Sequence, residues 1–322
     1  MNRLTAMRNQ RYKIVTILSL ALSASVSAQQ VPDTSFTFPI DQPAYQHGKG
    51  PVIYIDQAHN NFHTRDGGFL PFSRMLEQDG YRVNRLDKTI TGIDILKNCK
   101  ILIIANALNA VNARYWILPT PSAFTIDEIA IIREWVKNGG SLFLIADHMP
   151  FAGAAYELGK AFGFEFLNGF AFTGERGSWP PSTFTADKGT LKESPVTAGL
   201  KKYEKVDSVS SFTGSSFKAP KEAVPVLCFI DGNYSLQPDT AWSFNSKTPR
   251  ENLSGYYQGA VREYGKGKVA VFGEAAMFTA QLVNGTIKAG FNSELAPQNA
   301  QFTLNLIHWL DGIKKNSGAD NR

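Results

Sequence analysis

The feature that most constrains the fold is a short apolar run, Leu142 to Ala146, which ends abruptly on the polar pair Asp147-His148. Five consecutive apolar residues predict a strand that is buried on both faces, as in a parallel sheet covered by helices. Ligands bind beyond the carboxyl ends of strands in open α/β sheets. The Asp147-His148 pair is therefore the first place to expect a functional site.

Strand and helix signals alternate through the first half of the chain. Apolar runs predict strands, and apolar residues at helical spacing, followed by glycines, predict the helices between them. The predicted strands cover residues 52–55, 81–86, 100–105 and 142–146, and the predicted helices cover 69–78, 125–138 and 154–162. The middle helix begins with a capping-box pattern, Thr125 with Glu128 three residues later. This alternation predicts a parallel sheet with right-handed crossovers.

The second half is less regular before it becomes strand-like again. Residues 168–220 are rich in aromatic, Gly, Ser, Thr and Pro residues, which predicts a loop-rich insertion. Strands are predicted at 224–230, 255–263 and 268–272, the last two joined as a hairpin by the turn at 264–267, and a final amphipathic helix is predicted at 300–313. The expected fold is α/β, with a mostly parallel central sheet plus a C-terminal β-hairpin and helix.

The first 28 residues are typical of a cleaved secretory signal peptide. A basic segment at 3–13 precedes a mostly apolar segment at 14–24 and small residues at 26–28. The apolar segment is shorter than the ~20 residues that a membrane span needs. We therefore expect an exported, periplasmic or extracellular protein with no membrane span after cleavage. Removing four of the 33 basic residues leaves 29 against 28 acidic ones, a net charge of +1 rather than +5, which does not favour nucleic acid as a partner.

We expect a lead-in segment at 29–50, a single domain at 51–313 and a polar tail at 314–322. The chain has two cysteines, Cys99 and Cys228, each in or beside an apolar run. In an oxidising compartment they either form a disulfide or remain two buried thiols. Their spacing fits no zinc or redox motif.

Three motifs carry a resemblance to a known group of proteins. They are Trp-Val-Lys-Asn-Gly-Gly-Ser-Leu at 135–142, Tyr-Gly-Lys-Gly-Lys-Val at 264–269 and Asn-Leu-Ile-His-Trp-Leu at 305–310. With the order of the strands, they resemble the class I glutamine-amidotransferase-like superfamily over residues 51–312, most closely its uncharacterised and ThuA-like branch. The resemblance implies a flavodoxin-like three-layer sandwich. It does not imply an activity, because one fold supports many functions.

The chain departs from that superfamily at the catalytic position. True amidotransferases carry a nucleophilic Cys on a sharp turn after the third strand, where this chain has Ala105-Asn106-Ala107. Cys99 stands at the opposite end of that strand. ThuA-like relatives tend to have a His after the late hairpin strand, where this chain has Glu274. Because the nucleophilic Cys is missing from this turn, glutamine amidotransferase chemistry is excluded.

Histidines and carboxylates follow three of the predicted strands, and three of the five histidines of the chain are among them. The candidate catalytic residues are Asp56, His59, Asp147, His148 and Glu274. Imidazole and carboxylate groups are ligands for zinc or manganese, and His59, His63 and His148 are the candidate metal ligands. Without a metal, the same histidines can transfer protons while a carboxylate fixes their tautomer.

Nearby loops carry groups that suit a polar or saccharide ligand. Aromatic rings stack on sugar rings, and Arg pairs with anionic groups. The candidate substrate-binding residues are Asn60, Arg65, Asn106, Trp116 and Trp179. Phe170, Phe172 and Trp242 add further aromatic rings, which core packing also explains.

The polar pair also has structural explanations. Asp147 is suited to cap the helix that follows, and His148 to satisfy a loop carbonyl. Two functions therefore stay open. The first is an exported hydrolase-like enzyme, with or without an assisting metal, that acts on a glycan-derived or other small polar substrate. The second is a non-catalytic module of the same fold that binds a saccharide or a protein.

Overall fold

The structure is a computed structural model that describes residues 30–174 and 181–314. The predicted signal peptide lies outside the described residues, as does the predicted polar tail apart from Lys314. Within the described ranges, no helix has the length and apolar character needed to cross a membrane.

Seventeen strands are present in the described part of the chain. They are β1 (Gln30–Pro32), β2 (Val52–Asp56), β3 (Arg82–Leu86), β4 (Cys99–Ala105), β5 (Ser141–Ile145), β6 (Glu165–Leu167), β7 (Phe170–Phe172), β8 (Ser182–Thr185), β9 (Ser208–Ser211), β10 (Ser216–Lys218), β11 (Val224–Cys228), β12 (Tyr234–Leu236), β13 (Arg250–Asn252), β14 (Tyr257–Tyr264), β15 (Gly267–Phe272), β16 (Ala280–Val283) and β17 (Ile287–Gly290).

Six α-helices and four short 3₁₀ helices connect these strands across the same described ranges. The α-helices are α1 (Leu70–Gln78), α2 (Ile126–Lys137), α3 (Phe151–Ala154), α4 (Tyr156–Lys160), α5 (Pro195–Ala198) and α6 (Asn299–Asp311). The 3₁₀ helices are Ile93–Leu96, Ala110–Asn112, Lys202–Glu204 and Ala276–Phe278.

The fold is mixed α/β and is built on a mostly parallel nine-stranded sheet. Its order is β3-β2-β4-β5-β15-β14-β10-β6, and β11 also pairs with β14. The five strands from β3 to β15 run parallel to one another. If these five strands are numbered 1 to 5 in chain order, they lie side by side in the order 2-1-3-4-5. The antiparallel strands β14, β10, β6 and β11 extend one side of the sheet.

Strand register divides the core into two layers. Ile103 of β4, Phe143 of β5 and Ala270 of β15 are neighbours on one face, where α1 and α6 pack. The alternate residues Leu142 and Val269 face the other way, toward α2, α3 and α4. All five positions of β5 are buried, and four of them are apolar, while the hydroxyl of the fifth, Ser141, donates to the Leu310 carbonyl at 2.7 Å. The prediction from the Leu142 to Ala146 run is therefore confirmed.

Residues 30–50 pack directly on the domain. Strand β1 pairs with β16, which also pairs with β17, in a separate three-stranded sheet. The ring of Tyr45 meets the ring of Tyr81 edge-on, with centroids 5.3 Å apart. The N-terminal segment is thus tied to the body of the protein at two places.

Most predicted elements are confirmed within a few residues, and two are wrong in detail. The hairpin of β14 and β15 turns at 264–267 as predicted, with Gly265 in the left-handed region at φ +60°. The helix predicted at 154–162 is instead two short helices, α3 and α4, that meet at Ala155. The loop-rich insertion at 168–220 contains four strands in its described part, and one of them, β10, joins the main sheet.

Both cysteines are buried free thiols, so no disulfide joins them. Burial raises the pKa of Cys99 to about 12 and that of Cys228 to about 11. Thiols with raised pKa values are poor nucleophiles at neutral pH. Of the two predicted states, the structure therefore has the two buried thiols.

The start of α2 gives a stability prediction. The Thr125 side chain accepts the backbone N–H of Glu128, and the Glu128 side chain accepts the N–H of Thr125, which completes the predicted capping box. We expect Thr125→Ala to lower the free energy of unfolding by about 1 kcal/mol, measured by urea denaturation. Asn138→Ala, at the exposed other end of α2, should change it by less than about 0.5 kcal/mol. Equal effects of the two substitutions would contradict the assigned role of the cap.

Candidate active site at the carboxyl edge of the sheet

Four neighbouring parallel strands, β2, β4, β5 and β15, end at the same edge of the sheet. The residues at or just beyond these ends are Asp56, Asn106, Asp147 and Glu274, and all four are buried. The chain leaves β2 for a helix on one face and β4 for a helix on the other. A crevice is expected where connections diverge in this way.

Asn106 is held at the junction of β4 and β5 by three hydrogen bonds. Its backbone N–H donates to the Ile145 carbonyl at 3.0 Å, and its carbonyl accepts the N–H of Phe62 at 3.0 Å. Its side-chain Oδ1 accepts the backbone N–H of Asp147 at 2.9 Å. The residue is left-handed at φ +51°. Asn tolerates this conformation better than most residues.

Asp147 and Glu274 form a pair of buried carboxyl groups. Burial raises the pKa of Glu274 well above its ordinary value, and the negative charge of Asp147 raises it further. Glu274 accepts the backbone N–H groups of Ala276 at 2.8 Å and Met277 at 2.7 Å. Asp147 is 7% exposed, whereas Glu274 is fully buried. Burial and the Asp147 charge therefore both favour the neutral form of Glu274, and Asp147 is the member of the pair nearer to solvent.

Asp147 does not cap the following helix. Its Oδ1 accepts the backbone N–H of His148 at 2.7 Å, and the Thr213 hydroxyl lies 3.4 Å from the same oxygen. Helix α3 begins after Pro150 and has no side-chain cap. The helix-cap role predicted as an alternative for Asp147 is thus wrong. The alternative predicted for His148, a contact with a loop carbonyl, is confirmed, since its Nδ1 lies 2.7 Å from the Met149 carbonyl.

That contact also determines which nitrogen of His148 is free. A carbonyl oxygen can only accept, so Nδ1 must carry the hydrogen, and in the neutral ring Nε2 is left to accept a proton. The ring stacks on Phe170 at 4.4 Å and meets the edge of Trp242 at 4.6 Å. His148 is thus fixed in both tautomer and orientation.

His63 is a buried neutral imidazole. Burial lowers the pKa of His63 to about 4, although the charge of Asp147 acts in the opposite direction. Its ring stacks on Phe69 at 4.9 Å and meets Phe62 edge-on at 5.2 Å. Among residues 30–174 and 181–314, no hydrogen-bond partner is found for its Nδ1, which lies against Gly68, where a Cβ atom would come within 2.3 Å of it.

His59 belongs to a separate group. Its Nδ1 lies 2.9 Å from Asp56 Oδ2, and its Nε2 lies 3.0 Å from Glu128 Oε1. Burial lowers the pKa of His59, but the hydrogen bonds to and charges of Asp56 and Glu128 outweigh it and raise the pKa overall. Asn61 connects the His59 group to the end of β4, because its Nδ2 donates to Asp56 at 3.0 Å and to the Ala105 carbonyl at 3.3 Å.

These contacts decide how well the predicted metal ligands fit. Both nitrogens of His59 are occupied by carboxylates, and Nδ1 of His148 is occupied by a carbonyl. The residues described contain no group of three or more His, Cys, Asp or Glu placed to hold a metal ion. A metal held by His59, His63 and His148 would have to displace these hydrogen bonds, and the metal site stays a prediction.

Aromatic side chains line the mouth of the site. Trp116 packs against Phe62 and Phe151, with centroids 5.8 and 5.0 Å apart. Phe62 is 46% exposed, Tyr115 68% and Trp242 53%, whereas Phe170 is buried. Two loops form this rim together, because the Ala241 N–H donates to the Trp116 carbonyl at 2.8 Å and the Leu118 N–H to the Asp239 carbonyl at 2.9 Å.

The remaining candidates have different surroundings. Arg65 pairs with Asp66 and Glu77 and donates to the Val83 carbonyl, so its guanidinium is already engaged. Asn60 is exposed and left-handed, and its Nδ2 donates to the Leu108 carbonyl at 3.3 Å. Trp179 lies outside the described residues.

Two polar residues of the site were missed. Glu128 was predicted only as a helix cap, since nothing in its spacing connects it with a histidine 69 residues earlier. Thr213 lies in the irregular segment before β10, where no periodicity predicts which side chains approach the sheet edge.

The sequence matches no protein-family model, and no curated protein matches it significantly. In structure, the chain is similar to the mmIFT52 N-terminal domain, with a TM-score of 0.53, 13% identity, and coverage of 81% of this chain and 97% of that domain. It also matches a cytoplasmic protein from Salmonella typhimurium, with a TM-score of 0.46, 15% identity and coverage of 81% and 98%. A putative ThuA-like protein from Bacteroides uniformis is a further neighbour, with a TM-score of 0.42, 13% identity and coverage of 85% and 94%. At these identities, the likeness concerns the fold alone.

His59 gives a prediction about pH. Because its folded-state pKa is raised, its stabilising contribution should be complete below the ordinary pKa of 6.5 and should decrease as the pH rises through the folded value. We expect His59→Gln to lower the free energy of unfolding by about 3 kcal/mol at pH 6 and by less at pH 9, measured by denaturant titration. His47→Gln, at an exposed position, should have a small effect at both pH values. A loss at position 59 that grows with pH would contradict this assignment.

Gly68 gives a prediction about the His63 pocket. A methyl group at this position would collide with the His63 ring, which is held between aromatic neighbours. We expect Gly68→Ala to lower the free energy of unfolding by about 1–3 kcal/mol in denaturant titrations. Gly92→Ala, where no atom lies within 4 Å of the new methyl, should be neutral or slightly stabilising. A neutral Gly68→Ala would show that His63 can move.

Proposed function

We propose that this protein is an exported hydrolase-like enzyme that acts on a glycan-derived or other small polar substrate at the carboxyl edge of the sheet. The observation that carries the proposal is His148, whose Nδ1–H donates to the Met149 carbonyl and leaves Nε2 to accept a proton, beside the buried carboxyl pair. A histidine with a fixed tautomer next to a carboxylate suits general acid–base catalysis.

Each group of the site has a role in this reaction. His148 Nε2 takes a proton from the attacking water and returns it to the leaving group. The charge of Asp147 stabilises the imidazolium that forms in between. Protonated Glu274 keeps the pair at one negative charge, and neutral His63 offers a hydrogen bond to the substrate. We assign no step to a metal, because the nitrogens of His59 are already occupied.

The aromatic rim suits a substrate with an apolar face. Phe62 and Trp242 are exposed, and their rings lie 5.2 Å from the ring of His63 and 4.6 Å from that of His148 respectively. Aromatic rings next to hydrogen-bonding groups suit sugar rings, which have a polar edge and an apolar face. The proposed substrate is therefore a saccharide or a substituted saccharide.

We also propose a finer classification of the fold. The parallel strands have the spatial order 2-1-3-4-5, which is the flavodoxin-like order. Together with the motifs at 135–142, 264–269 and 305–310, this order favours a three-layer member of the class I glutamine-amidotransferase-like superfamily in its ThuA-like branch. In such a member, Asn106 would replace the nucleophilic Cys.

The catalytic test uses chromogenic glycosides and acetylated sugars. We expect His148→Gln and Asp147→Asn each to lower kcat by about 100-fold or more, because acid–base groups contribute on this scale. His47→Gln and Asp33→Asn are the matched controls, the first exposed and the second a buried Asp outside the site, and both should keep wild-type activity. Unchanged turnover in both site variants would contradict the proposal. If untagged protein contains one zinc or manganese ion per chain, the metal-free mechanism is wrong and a metal-assisted one takes its place.

The second candidate is a non-catalytic saccharide- or protein-binding module, which the exposed aromatic rim favours. In that case the wild-type protein binds a saccharide without turning it over, and Trp242→Ala weakens binding whereas His148→Gln does not. Calorimetric titration with saccharides, beside the turnover assay, distinguishes the two functions.

A further inference from the structure

We propose that Asn106 is a positioning residue that holds Asp147 in place, and not a group that contacts the substrate. This inference rests on the proposed function, because it assumes that Asp147 belongs to the catalytic site. The sequence placed Asn106 among the substrate-binding residues, since it follows β4 at the carboxyl edge of the sheet.

The acceptor oxygen of the Asn106 side chain is already engaged within the protein. The residue is buried, and its Oδ1 already accepts the backbone N–H of Asp147 at 2.9 Å. This bond connects the end of β4 to the first polar residue after β5, at the point where the backbone ladder of the two strands stops. Without it, the Asp147 N–H would be buried and would lose this partner.

The backbone of Asn106 connects two more segments to the same point. Its N–H donates to Ile145 at the end of β5, and its carbonyl accepts the N–H of Phe62, next to His63. One residue thus holds the loop after β2, the end of β4 and the end of β5 together. A displacement of Asn106 would move His63 and Asp147 relative to each other.

Two separate properties are required at this position, and few residues have both. The φ of +51° needs a residue that tolerates the left-handed region, which Gly, Asn and Asp do best. The bond to Asp147 needs a short side chain with an acceptor oxygen. Gly has the first property only, and Asp has both, so these two substitutions separate backbone conformation from side-chain positioning.

Hydrogen exchange of the Asp147 amide, followed by NMR, tests the contact without any substrate. We expect Asn106→Gly to fold and to lose protection of this amide by about tenfold or more, which reflects one lost hydrogen bond. Asn106→Asp should keep the protection. The matched control is Asn284→Gly in the turn between β16 and β17, where φ is +52° and the residue is exposed. Wild-type protection in Asn106→Gly, or equal loss in the control, would overturn the proposal.

The pH profile of turnover tests the positioning role. We expect Asn106→Gly to lower kcat by about tenfold to a hundredfold, because displaced catalytic groups lose rate on this scale, while KM changes little. Asn106→Asp should recover most of kcat and move the acid limb of the profile to higher pH, since a new carboxyl beside the pair raises its pKa values. A rise in KM with little change in kcat, or no recovery of kcat in Asn106→Asp, would overturn the positioning role of Asn106. If wild-type protein turns over no substrate, the proposed function fails, whereas the exchange experiment still decides the contact.

Discussion

The parallel pairing of β4 with β5 is the interaction on which the rest of the structure depends. From Ile101 to Ala105 and from Leu142 to Ile145 the two strands are buried and apolar on both faces, and polar side chains come together just beyond their carboxyl ends. At that point Asn106 accepts the Asp147 N–H and continues the connection for one more residue. The position of Asp147 therefore follows from the register of two strands together with one side-chain hydrogen bond.

The three histidines near this edge have different surroundings and therefore different properties. His59 lies between two carboxylates and has a raised pKa, so it ties the loop after β2 to the start of α2. His63 is enclosed by aromatic rings and stays neutral. Only His148 combines a fixed tautomer with a nitrogen left to accept a proton. Similar side chains in neighbouring loops are therefore suited to different tasks.

Much of the fold could be predicted from the sequence, because its signals are local. The apolar runs predicted β2, β4 and β5, and the pattern at Thr125 predicted the cap of α2. The parallel pairing of β15 with β5 and the contribution of β10 to the main sheet could not be predicted, since they depend on partners far away in the sequence. For the same reason, the strand ends predicted which residues lie at the edge of the sheet, but they did not predict the contact between Glu128 and His59 Nε2.

The negative charge of Asp147 and complete burial both raise the pKa of Glu274, and this effect of one carboxyl group on the other underlies the proposed chemistry. Infrared spectroscopy of protein with isotope-labelled Glu, compared with Glu274→Gln, tests this claim directly. We expect a protonated carboxyl band of Glu274 that persists to higher pH than that of an ordinary Glu and is absent from Glu274→Gln, and a lower Glu274 pKa in Asp147→Asn. A band that disappears at the pH of an ordinary Glu, or a Glu274 pKa that is the same with and without the Asp147 charge, would contradict this effect of Asp147 on Glu274.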